Sequence, residues 1–71
     1  PFTITNENGV WVIRGKEIER ILLMTKFSTD ESVMRFTNKL RRMGIDDELR
    51  NMGAKEGDTV KILDLKFEYE E

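Results

Sequence analysis

The sequence predicts a single α+β domain, with two β-hairpins flanking a helical middle. Three observations carry that prediction. Alternating apolar and polar residues around an Asn-Gly pair open the chain, a helical apolar period fills its centre, and a second alternating stretch closes it. The order is therefore β-β-α-α-α-β-β over residues 1–71. Two hairpins form a mostly antiparallel four-stranded sheet, and the helices pack chiefly on one face.

Phe2-Thr3-Ile4-Thr5 has the alternation of a half-buried strand, and Asn8-Gly9 is the strongest short hairpin signal available. Val10-Trp11-Val12-Ile13 is apolar on both faces, which predicts an inner strand covered on each side. Gly15 breaks that strand. A first helix is expected from Lys16 to about Lys26, with Ile18, Ile21, Leu22 and Thr25 facing inward. Leu23 and Met24 fall off this stripe. Either the helix is wedged between sheet and second helix, the ordinary arrangement, or these two side chains meet a partner. Phe27, in the link between helices, is expected to plug the core.

The second helix is the clearest element. Ser28 and Glu31 have the spacing of a capping box, and Val33, Phe36, Leu40 and Met43 share one helical face. Gly44 supplies the left-handed residue that ends it, with Ile45 as the following apolar contact. Asp46 then caps a short third helix, Asp47 to Met52. Gly53 through Asp58 is turn chemistry. Thr59–Ile62 and Leu65–Tyr69 alternate about a tight turn at Leu63-Asp64. The aromatics Trp11, Phe36, Phe67 and Tyr69 read as core.

Composition excludes several kinds of chemistry. There is no cysteine and no histidine, so disulfides, thiolate metal sites and histidine-based acid–base catalysis are unavailable. No apolar run approaches membrane-spanning length. Gly15-Lys16 lacks both the preceding glycine, where Val10 stands, and the following hydroxyl, where Glu17 stands, that a phosphate-binding loop requires. The carboxylates Asp46, Asp47, Glu48, Asp58 and Asp64 suit caps and turns. No catalytic residue and no metal ligand is assigned.

Charge is distributed unevenly. Arg14 to Arg42 holds eight basic and four acidic residues, whereas Met43 to Glu71 holds four basic and nine acidic. Arg35, Lys39 and Arg42 recur on one side of the second helix, expected opposite Phe36 and Leu40, and Arg41 flanks them. A solvated face with a Glu31–Arg35 pair is the ordinary interpretation. The functional one is a surface for RNA phosphates or an acidic protein. The candidate partner-binding residues are thus Leu23, Met24, Lys26, Arg35, Lys39, Arg41 and Arg42.

Taken together, GVWVIRGKEIERILLMTKF, RFTNKLRRMGIDDELRNMGAKEGDTVKI and LKFEYE resemble the C-terminal domain of the Obg GTPases over nearly the whole chain, from about Phe2 to Glu70. The most specific parts are Val10-Trp11-Val12 to Gly15, Met24-Thr25 with Phe27, Arg35-Phe36, Gly44 with Asp46-Asp47, and Gly53 to Val60. The family commonly has asparagine where this chain has Lys26, so the link between helices is more basic here.

The resemblance implies a regulatory appendage of a cytoplasmic bacterial G protein, and a start at Pro1 without an initiator methionine agrees with the expectation of a piece cut from a longer chain. In that family GTP, GDP and magnesium are handled by a separate P-loop domain, so no cofactor is expected in this segment. The expected partners are the protein's own G domain and a protein or rRNA of the large ribosomal subunit. The setting is ribosome assembly and the guanine-nucleotide alarmone response. No membrane partner is expected, and the segment is expected to be monomeric. The alternative function is a small RNA-binding module using the basic helix face.

Overall fold

The computed structural model describes residues 1–71. Its elements run β1 (Thr3–Glu7), β2 (Val10–Arg14), α1 (Lys16–Leu23), α2 (Asp30–Arg42), α3 (Ile45–Asn51), β3 (Thr59–Ile62) and β4 (Leu65–Glu68). The expected order is reproduced. The strands form one sheet in the order β1-β2-β3-β4, in which both hairpins are antiparallel and the central β2–β3 pair is parallel. All three helices lie in the crossover between β2 and β3, as a parallel pairing requires a long connection.

Register explains the core. Ile4, Ile13, Ile62 and Leu65 are aligned across the sheet, and so are Trp11, Val60 and Phe67. These rows pack with Ile18 and Leu22 of α1, Phe36 and Leu40 of α2, and Ile45 and Leu49 of α3. Val12 points to the other face, aligned with Thr5 and Lys61, and is nonetheless buried. No buried side-chain polar atom lacks a hydrogen bond.

Both hairpins turn in two residues. Asn8 and Gly9 both have positive φ, 56° and 86°, the signature of the type I′ turn that matches strand twist. Strand β1 consequently continues through Glu7, two residues beyond the expected stretch. Leu63 also has positive φ, 52°, a conformation that costs a non-glycine residue about 1 to 2 kcal/mol. At Gly15 the requirement is space. A Cβ there would lie 3.0 Å from the Pro1 carbonyl oxygen and 3.1 Å from Phe2 Cα.

Several local expectations are corrected. Helix α1 ends at Leu23 rather than near Lys26. The Thr25 hydroxyl donates to the Ile21 carbonyl at 2.6 Å and its amide to Leu22, closing the last turn. The cap of α2 is Thr29, one residue after Ser28. Thr29 Oγ1 accepts from the Ser32 amide at 3.1 Å, with Ser32 completing the box in place of Glu31. Asp30 and Glu31 still fall in the positively polarised first turn, and Glu31 approaches Arg35 one turn on at 3.5 Å. Helix α3 begins at Ile45, directly after left-handed Gly44, and has no side-chain cap. Asp46, expected to cap it, pairs instead with Arg41 at 3.1 Å.

Asp58 joins three parts of the chain. Its Oδ2 accepts from the Trp11 indole N–H at 3.0 Å and from the Lys55 amide at 2.9 Å. Its own amide donates to the Lys55 carbonyl, and its carbonyl accepts from the Tyr69 amide at 2.7 Å. The indole bond and then the Lys55 amide hold the Asp58 carboxyl below the usual aspartate range.

Two predictions follow from these caps and ties. Thr29→Ala should cost about 1 kcal/mol, while Ser28→Ala should leave stability within about 0.5 kcal/mol, as measured by urea unfolding. Because the folded-state pKa of Asp58 is depressed, its contribution is full above the ordinary aspartate value near 4 and is lost as pH falls through the folded value. The stability gap between wild type and Asp58→Asn should therefore be constant from about pH 7 to 5 and shrink in more acidic solution.

Candidate partner-binding surface

The residues between α1 and α2 fold into a cleft of about 450 Å³ against the first half of α2. Lys26 from the link faces Arg35 and Lys39 from the helix across this space. Hydroxyls of Thr25, Ser28, Thr29 and Ser32 also line it, and Met24 and Phe36 are its only apolar members. Three cations around one open cleft can hold a phosphate group or a carboxylate-rich surface, and of the lining hydroxyls only that of Ser28 is not already donating within the chain.

The basic stripe is placed differently from the expectation. Arg35 and Lys39 flank Phe36 instead of lying opposite it, and the three side chains line the same cleft. Helix geometry requires this, since Arg35 and Lys39 sit about 100° and 60° around the axis from Phe36. Neither are the four α2 cations all without a counter-charge. Arg41 is paired with Asp46, and Arg35 has a loose, exposed contact with Glu31. Lys26, Lys39 and Arg42 have no acid within ion-pair distance. The cleft thus gathers Lys26, Arg35 and Lys39, while Arg41 and Arg42 lie outside it.

Leu23 and Met24 are each 76% exposed, so the wedged arrangement of α1 is not what the chain adopts. The reason is the early end of the helix. Ile18 and Leu22 fill the core, and the residues just beyond them turn outward before α2 can cover them. Phe27 is likewise 43% exposed rather than a plug. Its ring meets the buried ring of Phe36 edge-to-face, with centroids 5.4 Å apart and planes at 82°. That contact is a favourable aromatic geometry.

Phe27 and Phe36 also divide two surfaces. On one side lies the cationic cleft. On the other lies a groove of about 560 Å³ whose apolar walls are Phe27, Val33, Leu65 and Phe67. Val33, expected in the core stripe, is 42% exposed because the sheet ends beneath it at β4. Sequence reasoning missed this groove. Its signal was present in the run of acids after Leu65, Glu68, Glu70 and Glu71, at the end of an apolar strand. No three acidic side chains converge as a metal-binding group would, and no helix is long and apolar enough to cross a membrane.

Residues 2–69 match a family model described as "Domain of unknown function (DUF1967)". The chain belongs to that family. DUF1967 is the C-terminal domain of the Obg GTPases, and the relatives agree with it. The chain is 54% identical to GTPase Obg of Pediococcus pentosaceus over 70 residues, 99% of this chain and 16% of that protein. It is 53% identical to GTPase Obg of Geobacillus thermodenitrificans and 51% to that of Bacillus pumilus, in each case over 97% of this chain and 16% of the relative. The chain therefore spans about a sixth of the length of these Obg relatives, and the resemblance read from its motifs is to the family it belongs to.

Proposed function

We propose that this domain is the regulatory and docking module of an Obg-type GTPase, and that the cleft of Lys26, Arg35 and Lys39 is where it docks. One observation carries the reading. Folding brings a cation from the α1–α2 link beside two from α2, with exposed Met24 in the cleft's lining and exposed Leu23 preceding it in the chain. Partners that combine acidic groups with a small apolar contact fit this corner. The G domain of the same protein is the first candidate, and a component of the large ribosomal subunit the second. In this reading the domain performs no chemistry. GTP hydrolysis and magnesium belong to the G domain, in the cytoplasm, and ribosome assembly and the alarmone response are the processes served.

The cleft's three cations also support a second reading, in which rRNA phosphates occupy it directly. The two differ in their response to salt. Three phosphate contacts to single-stranded RNA would give a log–log salt slope of about −2. Docking that includes Leu23 and Met24 should depend on salt less steeply, since apolar burial is not screened.

The test is a titration of the isotopically labelled chain with the cognate G domain, bound to GDP and then to a GTP analogue. State-dependent amide shifts around Leu23, Met24, Lys26 and Arg35 to Lys39 are expected. The triple reversal Lys26→Glu, Arg35→Glu, Lys39→Glu should abolish them while the dispersed spectrum of a folded domain persists. Shifts elsewhere, or none in either nucleotide state, would remove the G domain as the partner. An RNA titration with the full phosphate slope would transfer the cleft to the second reading.

A further inference from the structure

On the far side of Phe27, the second groove differs from the cationic cleft in both wall and rim. Its wall is apolar, with Val33 from α2 and Leu65 and Phe67 from β4. Its rim is acidic, with Glu68 and Glu70. From Leu63 to the end, the chain carries one base, Lys66, against the acids Asp64, Glu68, Glu70 and Glu71.

Strand β4 also lies at the edge of the sheet, paired on one side only. The hairpin register says which of its backbone groups are free. The two-residue turn at Leu63-Asp64 makes Ile62 and Leu65 a hydrogen-bonded pair, and such pairs alternate along an antiparallel ladder. Leu65 and Phe67 therefore spend their amide and carbonyl groups on β3, a phase continued by the Tyr69 amide bonded to Asp58. Lys66 and Glu68 turn theirs away from the sheet. The edge thus offers two donors and two acceptors at strand spacing, the template used when an extended peptide adds to a sheet.

The two halves of the geometry agree. On the helix-bearing face, an added strand would meet Val33, Leu65 and Phe67. On the opposite face it would meet Lys66 and Glu68, which alternate with Leu65 and Phe67, so that a base in the added strand is favoured at Glu68 and towards Glu70 rather than beside Lys66. We propose that the β4 edge and its groove bind an extended segment of a partner protein in which apolar and basic residues alternate. The apolar side chains would enter the groove and the basic ones pair with Glu68 and Glu70. This site is separate from the cationic cleft and stands whether or not that cleft binds the G domain.

The test uses the labelled 71-residue chain and a capped heptapeptide alternating lysine and valine, acetyl-KVKVKVK-amide. Saturating peptide should shift the amides of Val33 and Phe67 and slow solvent exchange of the Lys66 and Glu68 amides at least about tenfold, because both acquire acceptors. The double variant Glu68→Lys, Glu70→Lys should bind about tenfold more weakly, with its spectrum otherwise that of the wild type. Val33→Asp, at an exposed position, should weaken binding in the same way. Three results would overturn the proposal. One is peptide binding with Lys66 and Glu68 exchange unchanged, which indicates helical or unspecific docking. Another is equal affinity for acetyl-EVEVEVE-amide. The last is an absence of shifts at millimolar peptide.

Discussion

Asp58 is the point on which the arrangement depends. The parallel β2–β3 pair joins strands separated by the whole helical segment, so nothing local holds its register. The bond from the Trp11 indole to Asp58, which spans 47 residues of sequence, ties the two strands where they meet. The same residue fastens the turn before β3 through Lys55 and the end of β4 through Tyr69. An aspartate with its carboxylate and both backbone groups bonded lets one residue fix three segments. In so small a chain, with no disulfide available, such a tie replaces a covalent one.

With the sheet so fixed, the helices need only cover one face, and the covering is incomplete at one corner. Helix α1 has eight residues and ends before its last apolar side chains can be enclosed. Phe27 in the link and Val33 in the first turns of α2 are also in contact with solvent. Both candidate surfaces lie at this corner. The link that carries Lys26 bends back along α2 and makes the cationic cleft, and the α2–β4 margin makes the apolar groove. Residues that carry stability and residues available to partners are thereby segregated: Ile13, Ile18, Ile45, Val60 and Ile62 are fully enclosed, whereas Leu23, Met24, Lys26 and Lys39 are not.

Much of this was legible in the sequence, because the signals were local. Asn8-Gly9 specifies its hairpin through backbone conformation, Gly44 ends α2 for the same reason, and the α2 period names Phe36 and Leu40 as core. The misplacements came where two local solutions compete. Ser28 and Thr29 are both capping residues, and Thr29 takes the cap with Ser32, three residues on, completing its box. Asp46 could cap α3 or pair with Arg41, and the start of α3 at Ile45 places Asp46 inside the first turn, where it pairs with Arg41. The candidate surface was half legible. Its cations were readable as residues, but Lys26 joins Arg35 and Lys39 only through a link conformation that no periodicity encodes. The Trp11–Asp58 bond depends on the parallel pairing of distant strands, and neither residue's neighbours announce it.

A sheet locked through Asp58 leaves the α1–α2 link, from Lys26 to Ser28, without backbone hydrogen bonds from its amides. Native-state hydrogen exchange tests this arrangement most directly. The Trp11 indole and Tyr69 amide, both bonded to Asp58, should exchange only through global unfolding. The amides of Lys26, Phe27 and Ser28, which make no backbone hydrogen bond, should exchange freely in the isolated domain. Local exchange of the indole well below the global unfolding free energy would contradict the account. So would a Lys26–Ser28 link as protected as the sheet.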